Sequence, residues 1–251
     1  MRRIMLALLV LAAGCKGKDG AVGPTGPSGS PGDAIPTLQV VLRSGALPDA
    51  GYTAVLNNVD RANADTSYSE GATIRLANAT GDHPKRVLLR FPLQGYVPQN
   101  AVITQAALQL ASVATTSINA AVTIGVFDLG QDVMDTCIWS TLATWNRYNG
   151  SSYWGDCGGG PGAITRGSNY PTDPMDAVVI PSTATGTNML FAWNLSVPMV
   201  QKWLNSPTLN NGVVITSTNE WAETATGDVV FGNNAAALNL RPTLVVNYYI
   251  P

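Results

Sequence analysis

The stretch that decides the fold is TLVVNYY, Thr243 to Tyr249, near the C-terminal end of this 251-residue chain. In an extended strand, successive side chains point to opposite faces of the sheet. One face of this stretch then carries Leu244, Val246 and Tyr248. The other face carries Val245, Asn247 and Tyr249. The alternation is typical of a strand in a β-sheet.

Similar short β-rich runs recur between turn residues, and almost no stretch has the 3.6-residue period of a helix. The other predicted strands are Thr37–Arg43, Thr73–Leu76, Arg86–Pro92, Ile103–Ser112, Ala121–Asp128, Met189–Leu195, Gly212–Ser217 and Asp228–Gly232. One short helix is expected, capped by Ser196, with Pro198 in its first turn, and ended by Ser206 and Pro207. The pattern predicts an all-β fold, a jelly-roll β-sandwich of about nine or more strands.

The N-terminus, MRRIMLALLVLAAGC, has two arginines, a short apolar run and small residues before Cys15. The apolar run is about half the roughly 20 residues that a membrane-spanning helix needs. It indicates an export signal, and its last five residues resemble the bacterial lipoprotein box. We therefore expect a signal peptide over residues 1–14 and a lipid anchor on Cys15. The alternative is an ordinary secretory signal followed by a chance cysteine.

Lys16 stands where the inner-membrane retention signal of such lipoproteins would carry Asp. An outer-membrane or cell-surface location is therefore expected. From Gly17 to Gly32, glycine occupies every third position, which is a collagen-like pattern. Residues 15–34 are predicted to form a stalk, either a semi-extended monomeric spacer or a trimerising triple helix.

Residues 35–251 remain for one large β domain. Only 12% of the residues are charged and the net charge is −2, so no basic face for nucleic acid or anionic lipid is indicated. The lipid on Cys15 is then the expected membrane contact.

Six segments of this domain carry a family resemblance through their order along the chain. They are Arg86–Leu93, Val97–Leu110, Ala143–Asn146, Trp193–Leu204, Asn210–Ile215 and Arg241–Tyr248. Together they resemble the DNRLRE, or disaggregatase-related, β-sandwich domain of bacterial and archaeal surface proteins. The resemblance implies a jelly-roll module that binds polysaccharide, in some members acidic algal polymers. A long Gly-rich excursion, Asn146 to Thr187, departs from the pattern, so ligand specificity is not carried over.

The excursion concentrates the unusual chemistry of the chain. Cys137 and Cys157 remain once Cys15 carries lipid, and export favours a disulfide between them over a metal site. Aromatic planes stack on sugar rings, while arginine donates hydrogen bonds to hydroxyls or carboxylates. The candidate ligand-binding residues are Arg147, Tyr148, Tyr153, Trp154, Arg166 and Tyr170. For Trp154, packing inside the loop is the alternative.

Four other tryptophans are expected in the interior. Trp145 lies in a family-like segment, and Trp139 is assigned to the core beside it. Trp193 and Trp203 are expected to face the sandwich.

Catalytic motifs are weak in this sequence. His83 is the single histidine, and no nucleophile motif lies near it. The carboxylates that a glycosidase would need exist as Glu70, Glu220, Glu223 and Asp228. We expect a protein that is not an enzyme and needs no cofactor. A structural calcium ion is a weaker alternative, with oxygen ligands in 60–65 or 173–176.

Two functions follow from these observations. The first is a surface-tethered lipoprotein whose sandwich binds polysaccharide without catalysis. The second is a structural or adhesive surface protein, displayed on a monomeric or trimeric stalk, whose sandwich contacts proteins or the cell envelope.

Overall fold

The structure is a computed structural model that describes residues 36–43, 55–60, 65–66, 73–78, 85–129, 137–157, 164–219, 226–233 and 237–251. The chain divides between Ala34 and Ile35. The predicted signal peptide, Cys15 and the glycine repeat lie outside the described residues, which begin at residue 36. None of the described helices is both long enough and apolar enough to cross a membrane.

The described residues form antiparallel β-structure with one α-helix. The strands are β1 (Leu38–Arg43), β2 (Val55–Asp60), β3 (Thr73–Asn78), β4 (Lys85–Arg90), β5 (Val102–Ala111), β6 (Val122–Asp128), β7 (Asp176–Ile180), β8 (Leu190–Asn194), β9 (Val213–Ser217), β10 (Gly227–Gly232) and β11 (Thr243–Tyr249). The helix is α1 (Val197–Asn205). Every predicted strand is present, whereas β2 and β7 were not predicted.

Two sheets form the sandwich. The front sheet has the strand order β1-β11-β5-β8, and the back sheet has the order β2-β4-β9-β6-β7. The chain crosses repeatedly between the two sheets. It runs from β1 in the front sheet to β2 and β4 in the back sheet, and then to β5 in the front sheet. It continues to β6 and β7 (back), β8 (front), β9 (back) and β11 (front). This alternation is the jelly-roll topology that the sequence predicts. A ribbon of β3 and β10 completes the described strands.

The main hydrophobic core lies between the two sheets. Alternate residues of each strand enter it, for example Val87 and Leu89 of β4 and Leu244 and Val246 of β11. Trp193 lies in this core, and its Nε1 donates to the carbonyl oxygen of Ile124 at 2.9 Å. The interior positions predicted for Trp193 and Trp203 are confirmed.

Helix α1 covers one part of the main core. Met199, Val200, Trp203 and Leu204 are buried, and Pro198 lies in the first turn. Ser196 occupies the N-cap position, but its side chain makes no capping hydrogen bond. The predicted capping role of its side chain is therefore wrong.

Candidate functional site

The outer face of the back sheet is covered. Leu88, Phe127 and Val214 alternate with residues of the main core, so they point away from it. They pack against residues 137–157 and 164–170, which we call the cover segment. The result is a second hydrophobic core on the far side of the back sheet. The buried members from the cover segment are Cys137, Trp139, Ala143, Trp145, Trp154, Cys157, Ile164 and Tyr170.

The predicted disulfide between Cys137 and Cys157 is present, with a Cα–Cα distance of 5.8 Å. Both residues are buried inside the second core. The two cysteines are 20 residues apart in the sequence, and the bond closes the loop between them. It therefore restrains the ends of the first part of the cover segment where that part packs on the sheet.

Trp154 lies inside this second core, with 0% of its surface exposed. Its indole Nε1 donates to the carbonyl oxygen of Thr144 at 3.0 Å, and its own carbonyl accepts from Nδ2 of Asn169 at 3.2 Å. Half-buried Tyr148 packs at a tilt against its ring, with the centroids 6.0 Å apart. A ligand cannot reach Trp154, so its predicted role in binding is wrong.

Tyr170 is buried in the same way. Its ring meets Phe127 edge to face, with the centroids 5.3 Å apart. The physical reason is common to Trp154 and Tyr170: an apolar sheet face needs a cover, and aromatic side chains remove the largest area from water. The interior positions predicted for Trp139 and Trp145 are confirmed.

Three arginines, Arg86, Arg90 and Arg166, connect the cover segment to the back sheet. Arg86 is buried, with its guanidinium carbon 4.2 Å from the ring centroid of Trp145, and its Nη1 donates to the carbonyl oxygen of Ile164. The guanidinium carbon of Arg90 lies 5.1 Å from the ring centroid of Trp139. Burial lowers the pKa of Arg90 from its ordinary value, but an arginine remains protonated at physiological pH. The roles of Arg86 and Arg90 were not predicted from the sequence.

Arg166 also has a structural role in place of the predicted binding role. Its Nη1 donates to the carbonyl oxygen of Thr218 at 2.9 Å, and its Nη2 donates to that of Ser217 at 3.2 Å. The guanidinium carbon lies 4.6 Å from the ring centroid of Phe127. Arg166 therefore ties the cover segment to the end of β9.

Of the predicted binding residues, Tyr153 is exposed, whereas Arg147, Tyr148 and Arg166 are half-buried. The guanidinium of Arg147 lies 4.3 Å from the centroid of the Tyr153 ring, and its Nη2 donates to the Tyr153 hydroxyl at 2.8 Å. Its Nη1 donates to the carbonyl oxygen of Ser151 at 2.7 Å, and its Nε lies 3.7 Å from Oδ1 of Asp65. The polar groups of Arg147 and Tyr153 thus bind each other.

The outer face of the front sheet has a different character. Seven outward residues on β1, β11 and β5 define what we call the open face: Gln39, Val41, Gln105, Ala107, Val245, Asn247 and Tyr249. Their side chains are exposed or half-buried, and no described segment of the chain packs over them. As far as the described residues go, this face of the front sheet is therefore accessible.

A row of three amides crosses the open face. The strand register places Gln39, Asn247 and Gln105 side by side on neighbouring strands. Nε2 of Gln39 donates to Oδ1 of Asn247 at 2.9 Å, and Nδ2 of Asn247 donates to Oε1 of Gln105 at 3.0 Å. Each amide has two N–H donors and an acceptor oxygen with two lone pairs, so the row retains donors and acceptors for a ligand.

Apolar groups flank the amide row on both sides. Along β11, Tyr249 lies two residues after Asn247 on the same face, and Val245 lies two residues before it. Val245 is in register with Val41 on β1 and Ala107 on β5. The amide row thus lies between the ring of Tyr249 and an apolar strip formed by Val41, Val245 and Ala107. The sequence signal was the alternation of Val245, Asn247 and Tyr249.

The described residues include no cluster of three or more His, Cys, Asp or Glu side chains that is able to hold a metal ion. Asp228 pairs with Arg75 at 3.3 Å, and Asp176 accepts hydrogen bonds from Asn194. The other carboxylates considered above, Glu70, Glu220 and Glu223, and His83 lie outside the described residues.

No protein-family model matches the chain, and no curated protein sequence matches it. The resemblance to DNRLRE domains therefore stays a prediction.

Proposed function

We propose that the sandwich binds polysaccharide without catalysis and that the open face is its binding surface. The observation that carries this proposal is the amide row between Tyr249 and the strip of Val41, Val245 and Ala107. Sugar rings have apolar C–H faces and a rim of hydroxyl groups. The former pack on aromatic and aliphatic side chains, and the latter exchange hydrogen bonds with amides.

The rigidity of the surface supports the proposal. Gln39, Asn247 and Gln105 stand on three paired strands, and the hydrogen bonds along the row hold their amide groups in place. A preorganised surface loses less conformational entropy when a ligand binds. Binding groups on strands are also held more accurately than groups on loops.

We further propose that this sandwich is an envelope-tethered lipoprotein, with lipid on Cys15 and residues 15–34 as its stalk. The support for this part is the sequence pattern alone. Replacing Cys15 with Ser should abolish incorporation of a fatty-acid label into the protein and release it from the membrane fraction. Unchanged labelling would refute the anchor.

The binding proposal is tested with residues 35–251, which form one compact unit. The wild type and three variants, Asn247→Ala, Tyr153→Ala and Gln94→Ala, are applied to a polysaccharide array. Gln94 is an exposed amide outside the open face and serves as the matched control. Asn247→Ala should weaken binding, whereas Tyr153→Ala and Gln94→Ala should leave it unchanged.

Two results would contradict the proposal. Loss of binding in Tyr153→Ala with retention in Asn247→Ala would move the site to the cover segment. An array with no bound polysaccharide would refute polysaccharide binding and favour a structural or adhesive role. Near-identical circular dichroism spectra of the variants are required for either conclusion.

A further inference from the structure

The open face also constrains the class of polysaccharide, an inference that rests on the proposed function. We infer that the ligand is an uncharged polysaccharide chain that lies across the strands, along the row Gln39, Asn247 and Gln105. Charge complementarity, strand geometry and the pattern of hydrogen bonds support this inference.

The open face has almost no charge with which to bind an acidic polymer. None of its seven residues is a cation or a carboxylate. Arg43 is a described cation on the same face of β1, two residues after Val41, and its Nε donates to Oγ1 of Thr243 at 3.3 Å. The carboxylate of Asp176 accepts from the backbone N–H of Asn194 at 2.7 Å and from its Nδ2 at 3.2 Å, and Asn194 is in register with Ala107 of the open face.

An acidic polymer would therefore be a poor match. Uronic-acid chains carry one carboxylate on each sugar, and proteins recognise carboxylates mainly with arginine and lysine. A carboxylate that lost its water against amides, Tyr249 and valines would leave part of its hydration uncompensated. Hydroxyl groups match amides well, since each donates and accepts one or more hydrogen bonds.

The geometry gives the direction of the chain. Neighbouring strands lie about 4.8 Å apart, so the three amides span on the order of 10 Å. A polymer along this row meets an amide on each of β1, β11 and β5. A polymer along β11 would meet one amide, Asn247, between Tyr249 and Val245. The crosswise path therefore offers three amides to a repeating ligand, against one along β11 and two, Gln105 and Gln109, along β5.

Gln109 provides a matched test of direction. It lies on β5, on the same face as Gln105 and four residues after it, in register with Thr243 of β11. It is thus an amide of the same sheet face that stands outside the row. A crosswise ligand contacts Gln39 and Gln105, whereas a lengthwise ligand on β5 contacts Gln105 and Gln109.

The experiment measures retention of residues 35–251 in gels that contain a neutral mixed-linkage β-glucan, a galactomannan, alginate or polygalacturonate. The wild type should be retarded by at least one neutral polymer and not by the acidic ones. Raising NaCl from 0.05 to 1 M should change that retention less than about twofold, because salt screens charge interactions and not neutral hydrogen bonds. Gln39→Ala and Asn247→Ala should each weaken retention roughly three- to tenfold.

Gln109→Ala and Arg43→Gln should retain wild-type behaviour on the neutral polymer. Equal losses in Gln109→Ala and Gln105→Ala, with none in Gln39→Ala, would refute the crosswise path. Salt-sensitive retention by alginate or polygalacturonate that Arg43→Gln removes would refute an uncharged ligand while leaving polysaccharide binding intact. No retention by any polymer would refute both proposals together.

Discussion

Trp154 gives the sharpest test of the second core. It is fully buried, and its indole donates a hydrogen bond to the Thr144 carbonyl. Removing a buried tryptophan side chain costs about 3–5 kcal/mol through lost burial and the cavity left behind. At about 2–4 °C per kcal/mol for a domain of this size, Trp154→Ala should lower Tm by roughly 6–20 °C.

Tyr153→Ala is the matched control, one residue away and 43% exposed in the wild type. A substitution at such a site should change the free energy of unfolding by about 0.5 kcal/mol. Both variants are unfolded in urea, with far-ultraviolet circular dichroism reporting the strands. Tryptophan fluorescence reports both cores, since Trp193 and Trp203 lie in the main core and Trp139 and Trp145 lie in the second. A loss below about 1 kcal/mol for Trp154→Ala would refute its burial. A larger loss of unfolding free energy for Tyr153→Ala than for Trp154→Ala would also refute the burial of Trp154.

Further predictions concern the disulfide and one glycine. Replacing both Cys137 and Cys157 with Ser should lower the free energy of unfolding by about 3 kcal/mol in the chain-entropy model, measured in urea without reductant; an unchanged midpoint would show that the bond does not restrain the cover segment. Gly212 has φ +69°, and an added Cβ would lie 2.2 Å from the carbonyl oxygen of Leu89, whereas Gly186 has φ +73° and open space around it. Gly186→Ala should therefore cost about 1 kcal/mol from backbone strain, and Gly212→Ala should cost several times more because it also forces backbone apart. Equal Tm values for these two variants would contradict the close approach.

Most of the sandwich could be predicted because its strands combine alternation with clear turn residues. The two missed strands lack those signals. Strand β2, VLNNVD, has two asparagines at its centre, and asparagine is depleted in strands. Strand β7, DAVVI, is short and lies within the Gly-rich excursion, which was interpreted as loop. Pairing with β6 stabilises β7, and such pairing is not visible in local composition.

The burial of Trp154 had a signal elsewhere in the chain. In β4, Val87, Leu88 and Leu89 are consecutive apolar residues, and all three are buried. In β9, Val213, Val214 and Ile215 repeat the pattern. A strand with apolar residues on both faces is covered on both faces. Trp154 and Tyr170 of the excursion form part of this cover, together with Trp139 and Trp145 before it, although the glycines and serines of the excursion suggested an exposed loop.

The amide row of the open face was not predicted, because local sequence does not show which strands are neighbours. Its amides come from three strands that are far apart in the sequence, and each alone is an ordinary exposed polar residue. Only the register of β1, β11 and β5 brings Gln39, Asn247 and Gln105 into one row. The sequence showed that Asn247 and Tyr249 share one face of their strand, but it did not show that Gln39 and Gln105 lie beside Asn247.

The most direct test of the binding surface is a nuclear magnetic resonance titration of ¹⁵N-labelled residues 35–251 with a neutral oligosaccharide of the polymer that binds. The side-chain amide signals of Gln39, Gln105 and Asn247 should shift together and saturate. The amide signals of Gln94 and Asn149, which lie outside the open face, should stay in place. Saturating shifts confined to Asn149 and its neighbours in the cover segment would contradict the account.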